Sequence, residues 1–413
     1  MRRRDALAAA RSGGRALRLA SILMALTLAA CGSVTRRAAT ALPAVEPVSG
    51  EHGAFRFASG DAAAFDRFLN TWHADMAQAG RDGVVALGLS GGGSGGAFGA
   101  GVLLGWTGEV RPDFNLVTGV STGAMIAPFA FAGPEWNAAL RAAFFDPAVE
   151  GLTSAGLGVL RRPSLYSGIP LFRLVARHAT TELIATVARR HREGRRLLIA
   201  TTYLDSLETM IWDMGAIAVA AQDRQNGARA EALFRAVIVA SASAPGYFPP
   251  VVLSVAGRPE LHIDGAVNSP VLLLPEAVAL REVTGRLRPL QLYVLINARV
   301  APAGQAVGGG TLAVLGQALD SMGRANLRTQ LQLIELFAWR HRAELHVAAM
   351  PPELEMSPFN FDAACMQRMF DLGYAAAASG HAFAGPEQSQ RKPAAADGRL
   401  EAAGSCAPVP GPP

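Results

Sequence analysis

Cysteine is scarce in this chain, with three in 413 residues and no histidine cluster beside any of them. That excludes a zinc site built on Cys and His, and no metal or other cofactor is expected. Long apolar runs are missing as well. Beyond the first 30 residues no stretch offers about 18 consecutive apolar residues, the minimum for a membrane-spanning helix. Charge of one sign is lacking outside the N-terminus. Arg2, Arg3, Arg4, Arg11, Arg15 and Arg18 against Asp5 account for the whole formal net charge of +5. The remainder is neutral, so no electrostatic case for a nucleic-acid partner survives. There is no internal repeat.

What is present begins with a targeting signal. The basic start leads into Leu19 to Ala30, a 12-residue apolar run too short to cross a bilayer but suited to the core of a secretory signal. It closes on Leu28-Ala29-Ala30-Cys31, which resembles the bacterial lipobox. That resemblance implies cleavage before Cys31 and lipidation of Cys31. Gly32 is not the aspartate such lipoproteins use for inner-membrane retention, so a lipid anchor in the outer membrane, facing the periplasm, is expected. An ordinary signal peptide is the alternative. Residues 31–60 then read as a tether, 61–384 as one catalytic domain and 385–413 as a Pro/Ala/Gly-rich tail without the means to build a core. Cys365 and Cys406 are left to pair or not in an oxidising compartment.

Within the domain, Ala62 to Ala79 places Phe65, Phe68, Leu69, Trp72 and Met76 at helical spacing, a core-facing stripe. Val84 to Leu89 is a buried parallel strand by its continuous apolar character. Next come Ser90 to Gly96, a glycine loop, and a helix over Ala97 to Trp106. A second strand, Phe114 to Val120, runs into Gly119-Val120-Ser121-Thr122-Gly123. Further strands are expected at Arg196 to Ala200, Thr209 to Asp213 and Leu290 to Asn297. Helices are expected at Pro170 to Arg190, Ala230 to Ser241, Pro275 to Arg281, Thr311 to His341 and Phe361 to Ala378. This alternation predicts an α/β fold with a mostly parallel central sheet covered by helices on both faces. Thr311 to His341 reads as a core helix with Leu331, Ile334, Leu336 and Phe337 turned inward, the rival being a helix lying on a membrane.

A Gly-x-Ser-x-Gly turn between strand and helix exposes its serine to a substrate carbonyl. The loop Gly91-x-Gly93-x-x-Gly96 also fits the dinucleotide fingerprint. That reading fails because the second strand ends in Gly119-Val120-Ser121 and carries no acidic residue there for a ribose. No Lys-Ser/Thr follows the glycines, which excludes a Walker loop. The backbone N–H groups of such a loop, at a helix N-terminus, suit an oxyanion instead. A base is then needed, and Asp264 in Leu261-His262-Ile263-Asp264-Gly265-Ala266 is a lone carboxylate among apolar residues. Its alternative role is to cap the turn before Gly265.

Five stretches fall in one order: Ser90 to Gly101, Gly119 to Phe129, Thr201 to Asp205 with Trp212 to Gly215, Ser241 to Pro250, and Asp264-Gly265-Ala266. Together they resemble the patatin-like phospholipases. The resemblance implies a Ser-Asp dyad with Ser121 as nucleophile, Asp264 as base and no histidine. It also implies an oxyanion hole at Gly91, Gly92 and Gly93, and acyl esters of lipids as substrates. Gly95 departs from the pattern, since many members carry Arg or Lys there, and this points toward neutral or single-chain esters. Two other readings stay open. One is a Ser-His-Asp hydrolase using His341, His346 or His381; the other is a non-catalytic lipid-binding lipoprotein. Gly151 to Pro170, glycine-rich with spaced leucines, is a candidate flap over an acyl groove or a plain surface loop.

Overall fold

The computed structural model describes residues 55–107, 111–153, 164–255, 257–273, 289–300, 310–351, 354 and 357–383. The signal, Cys31, the tether before residue 55, the helix expected at 275–281, half of the flap segment (154–163) and the tail lie outside them. Cys365 is disulfide-bonded, and its partner lies outside the described residues.

Strand β1 (Arg56–Ala58) and helix α1 (Ala62–Gln78) open the fold, followed by β2 (Val84–Leu89), α2 (Gly96–Gly105), β3 (Leu116–Val120), α3 (Thr122–Ala132) and α4 (Asn137–Phe144). Then come α5 (Gly168–His178), α6 (Thr181–Arg192), β4 (Arg196–Tyr203), β5 (Glu208–Asp213), α7 (Met214–Ala220) and α8 (Gly227–Ser241). The last are β6 (Val251–Val255), β7 (Arg258–Asp264), β8 (Leu290–Ile296), α9 (Thr311–His341), β9 (Glu344–Ala349) and α10 (Ala363–Ala378).

The sheet runs β1-β5-β4-β3-β2-β8-β9. From β4 to β9 every neighbouring pair is parallel. The β4–β5 and β5–β1 pairs are antiparallel, and the hairpin β6–β7 joins β4. The architecture is therefore the expected α/β one, with an antiparallel flank added. The strands are apolar on both sides, and alternate residues feed two cores. Leu87, Leu89, Val117, Leu197 and Ile199 pack under α2, α3, α6 and α8. Ala86, Leu116, Val120, Leu198 and Ala200 pack under α1 and α9.

Several expectations are corrected. The helix expected over Pro170 to Arg190 is two, because Thr180 caps a new N-terminus by accepting from the Leu183 N–H. In α9, Leu331, Ile334 and Phe337 are buried as expected, but Leu336 is exposed because it lies off their face. Strands β1, β6, β7 and β9 carry charged or polar residues within their apolar patterns and were not anticipated, and β1, with Phe57 buried, extends the fold into residues 31–60, expected to be tether. Among the described residues no helix is long and apolar enough to cross a membrane.

Candidate active site

Strands β2 and β3 end side by side, with Leu89 opposite Gly119. The glycine loop and Ser121 thus leave the sheet at the same carboxyl edge, the usual location of α/β sites. Ser121 has φ 54° and ψ −123°, an unfavourable region for a residue with a side chain. The turn is held tightly enough to impose that conformation. A Cβ on Gly119 would come within 2.6 Å of the Gly123 carbonyl oxygen, and one on Gly123 within 2.3 Å of the Leu89 carbonyl oxygen. Both flanking glycines are therefore required by close backbone approach. The Ser121 N–H donates to Ser241 Oγ at 2.9 Å, and that hydroxyl donates to the Ala200 carbonyl at 2.7 Å.

The termination of β3 makes room for the second residue. Strand β4 pairs with β3 as far as Val120–Ala200. Past that point its freed edge pairs with β7, and Asp264 stands opposite Thr201, one residue on. Register alone thereby brings together Ser121 and Asp264, 143 positions apart in the chain. Ser121 Oγ donates to Asp264 Oδ2 at 2.6 Å, and the Ala266 N–H donates to Oδ1 at 2.8 Å. Asp264 does cap the turn at Gly265, so the two roles considered for it coexist. Its own N–H donates to the Ser243 carbonyl at 3.0 Å. The carboxyl is buried, with no cation within ion-pair reach among the described residues. Burial, opposed by the bonds from Ser121 and Ala266, pushes its pKa up to about 7. A carboxylate so placed is a far better base than an exposed one.

The glycine loop crosses Ser121. An ideal Cβ on Gly91 would lie 3.8 Å from Ser121 Oγ. The Gly91 N–H itself is engaged, donating to the Pro270 carbonyl at 2.9 Å, and the Ser94 N–H donates to Pro358. Among the described residues no such bond takes the N–H groups of Gly92 and Gly93. Gly95 is confined: a Cβ there would meet the Asn297 carbonyl oxygen at 2.1 Å and Met350 Cε at 2.7 Å. Its departure from the family pattern is matched by neighbours that fill the space a longer side chain would need.

No histidine bonds to Ser121 or Asp264 among the described residues. His341 is buried at the end of α9 against Phe337, with ring centroids 4.3 Å apart. His346 stacks on Tyr293 in β9, and His381 is exposed. His262, two residues before Asp264, is buried, with Nδ1 3.0 Å from Thr201 Oγ1 and Nε2 3.2 Å from Glu260. Among the described residues no group of three or more His, Cys, Asp or Glu is arranged to hold a metal.

Sequence reasoning missed the roles of Ser241 and Ser243. Both sit in Ser241 to Pro250, a stretch that was singled out, but nothing in its letters reveals that one hydroxyl and one carbonyl hold the serine turn and the Asp264 backbone.

A mixed, mostly parallel sheet with a strained serine on the strand-to-helix turn at its carboxyl edge places this chain among α/β proteins. Residues 87–276 match the family described as patatin-like phospholipase. The chain thus carries a patatin-like phospholipase domain with the patatin fold, the domain of a lipid acyl hydrolase. No curated protein matches the sequence. Among solved structures, VipD from Legionella pneumophila is similar at 13% identity over 73% of this chain and 68% of that one, with a TM-score of 0.33. A likeness of that degree carries no argument about the site.

Proposed function

We propose that the protein hydrolyses acyl esters of lipids, as a phospholipase A, lysophospholipase or related carboxylesterase, through Ser121 and Asp264. The observation that carries this reading is the 2.6 Å bond from Ser121 Oγ to a buried carboxylate with no cation beside it among the described residues. Asp264 takes the Oγ proton as Oγ attacks the ester carbonyl carbon. The oxyanion is met by the N–H groups of Gly92 and Gly93, which no described residue engages; Gly91, already bonded to Pro270, supports the loop instead. Protonated Asp264 then returns the proton to the leaving alkoxide, and the acyl group stays on Ser121. Water enters by the same route: Asp264 accepts its proton, the acyl–Oγ bond breaks, and Ser121 recovers a proton from Asp264. The crowding around Gly95 supports neutral or single-chain esters over charged phospholipid head groups. Lipidation at Cys31 and attachment to the outer membrane, facing the periplasm, complete the proposal.

A mass-spectrometric lipid screen comparing wild type with Ser121→Ala tests the activity and its substrate together. The expected result is fatty acid release by wild type alone, with Ser121 labelled by a fluorophosphonate. Equal release by both proteins overturns the assignment.

A further inference from the structure

The 31 residues of α9 span about 46 Å, whereas β8, with 7 residues, spans about 23 Å. The helix is longer than the sheet it covers. Strands β8 and β9 are parallel, so α9 returns from the carboxyl edge to the opposite one and its excess length lies at the active-site end. Burial divides it. Leu327, Leu331, Ile334 and Phe337 are buried, while residues 314–326 include none that is. The helix leaves the body at the catalytic level: Asn326 Nδ2 donates to the Asn268 carbonyl at 2.9 Å, four residues past Asp264.

The overhang continues the buried stripe only in part. At about 100° per residue, Leu315, Leu319 and Met322 share a face whose mean direction is turned by about 100° from that of Leu327, Leu331, Ile334 and Phe337, with Phe337 alone in line with Leu319. They are 53%, 57% and 68% exposed. The only charges in residues 314–326 are Asp320 and Arg324, which neutralise each other at 2.7 Å. The apolar surface continues to the rim of the site. Asn268 Nδ2 donates to the Leu207 carbonyl at 2.9 Å, and Leu207 and Val267 are 72% and 47% exposed.

From these observations we infer that the outer half of α9, with Leu207 and Val267, seats the active-site edge on the surface of a lipid bilayer. This rests on the lipid-ester reading, which requires the serine to face a lipid layer. An uncharged apolar face suits insertion among acyl chains more than attraction to anionic head groups. The length of chain ahead of the body agrees with that occupant. From Cys31 to Phe55 is 24 residues, on the order of 80 Å when extended, enough for an anchored protein to turn this edge to the membrane.

The test uses full-length protein with Cys31→Ser, so that no acyl anchor masks the effect, and large phosphatidylcholine vesicles. Leu315→Asn/Leu319→Asn/Met322→Asn is compared with Trp339→Ser, which changes a 79% exposed side chain at the other end of α9. Flotation with vesicles should fall at least tenfold for the triple variant and stay unchanged for Trp339→Ser. Hydrolysis of a vesicle-borne ester should fall in step, while hydrolysis of a water-soluble short-chain ester is retained, which also certifies folding. Unchanged flotation of the triple variant overturns the inference. So does a dimer in the parent that becomes monomeric in the variant with flotation intact, which would mark the face as a subunit contact. Loss of flotation without soluble-ester hydrolysis in either protein would instead count against the catalytic reading and leave the docking surface standing.

Discussion

Strand β7 holds two carboxylates four residues apart, and their surroundings give them opposite characters. Glu260 receives Arg56 through Nη1 at 2.5 Å and Nη2 at 2.8 Å, with His262 Nε2 at 3.2 Å. Burial alone would raise its pKa, but the hydrogen bonds from His262 and Arg56 and the Arg56 charge outweigh that and hold it at about 2. Among the described residues Asp264 has only a hydroxyl and one backbone N–H, and burial lifts it to about 7. The difference teaches what makes a carboxylate a base here. Both are at least partly withdrawn from water, and only the one with no cation beside it among the described residues has proton affinity to spare. Arg56 also lies over Trp212, its guanidinium carbon 5.1 Å from the ring centroid, and Trp212 Nε1 donates to Thr201 Oγ1, so the Glu260 end is a framework for the strand pair.

The sharpest break of that contrast is chemical. Asp264→Asn and Ser121→Ala should each lower kcat/KM by at least ~1000-fold, whereas Glu260→Gln should leave most of the turnover of folded protein, as read in steady-state ester hydrolysis. Next in size is the pH profile. Asp264 must be ionised to accept a proton, so kcat/KM should fall about tenfold per unit below a midpoint near pH 7. Removal of the Glu260 charge should leave that midpoint in place; a midpoint near 4 would show an Asp264 of ordinary acidity.

Stability separates the two residues further. Glu260→Gln strips Arg56 and His262 of a partner and should cost about 1 to 3 kcal/mol in denaturant unfolding at pH 7, a range discounted for partial solvent access. Its lowered pKa contributes stability that is present above the unfolded value near 4 and lost as pH falls toward 2. Asp264 works with the opposite sign. Its folded pKa is raised, so the native state binds the extra proton between about pH 4 and 7, and stability declines as pH rises through that window. Asp264→Asn should therefore unfold at higher denaturant than wild type at pH 8, by about 1 to 3 kcal/mol, with little gain at pH 4. The smallest expected effect is that of His346→Ala, which removes a ring stacked on Tyr293 and should leave kcat/KM within about twofold. A loss matching that of Asp264→Asn would restore the Ser-His-Asp alternative.

Much of this was legible in the chain because it rests on local chemistry. Val84 to Leu89 has the unbroken apolar character of a strand buried on both faces, and Gly119 to Gly123 has the small residues a sharp strand-to-helix turn demands. Those readings hold at short range, where steric and burial preferences act on neighbouring residues. Asp264 could be singled out by its isolation among apolar residues, but its surroundings could not, since they depend on where β3 stops and how β7 takes up the freed edge of β4. The same holds for Gly91, whose N–H goes to Pro270, and for α9, whose pattern promised one core helix and whose length exceeds the sheet it covers. Sequence by itself determined the strands β2, β3, β4, β5 and β8, their order and the serine turn. Tertiary structure decided which carboxylate lacks a cation, which N–H groups remain unengaged and where α9 leaves the core, because each of these depends on contacts between residues far apart in the chain.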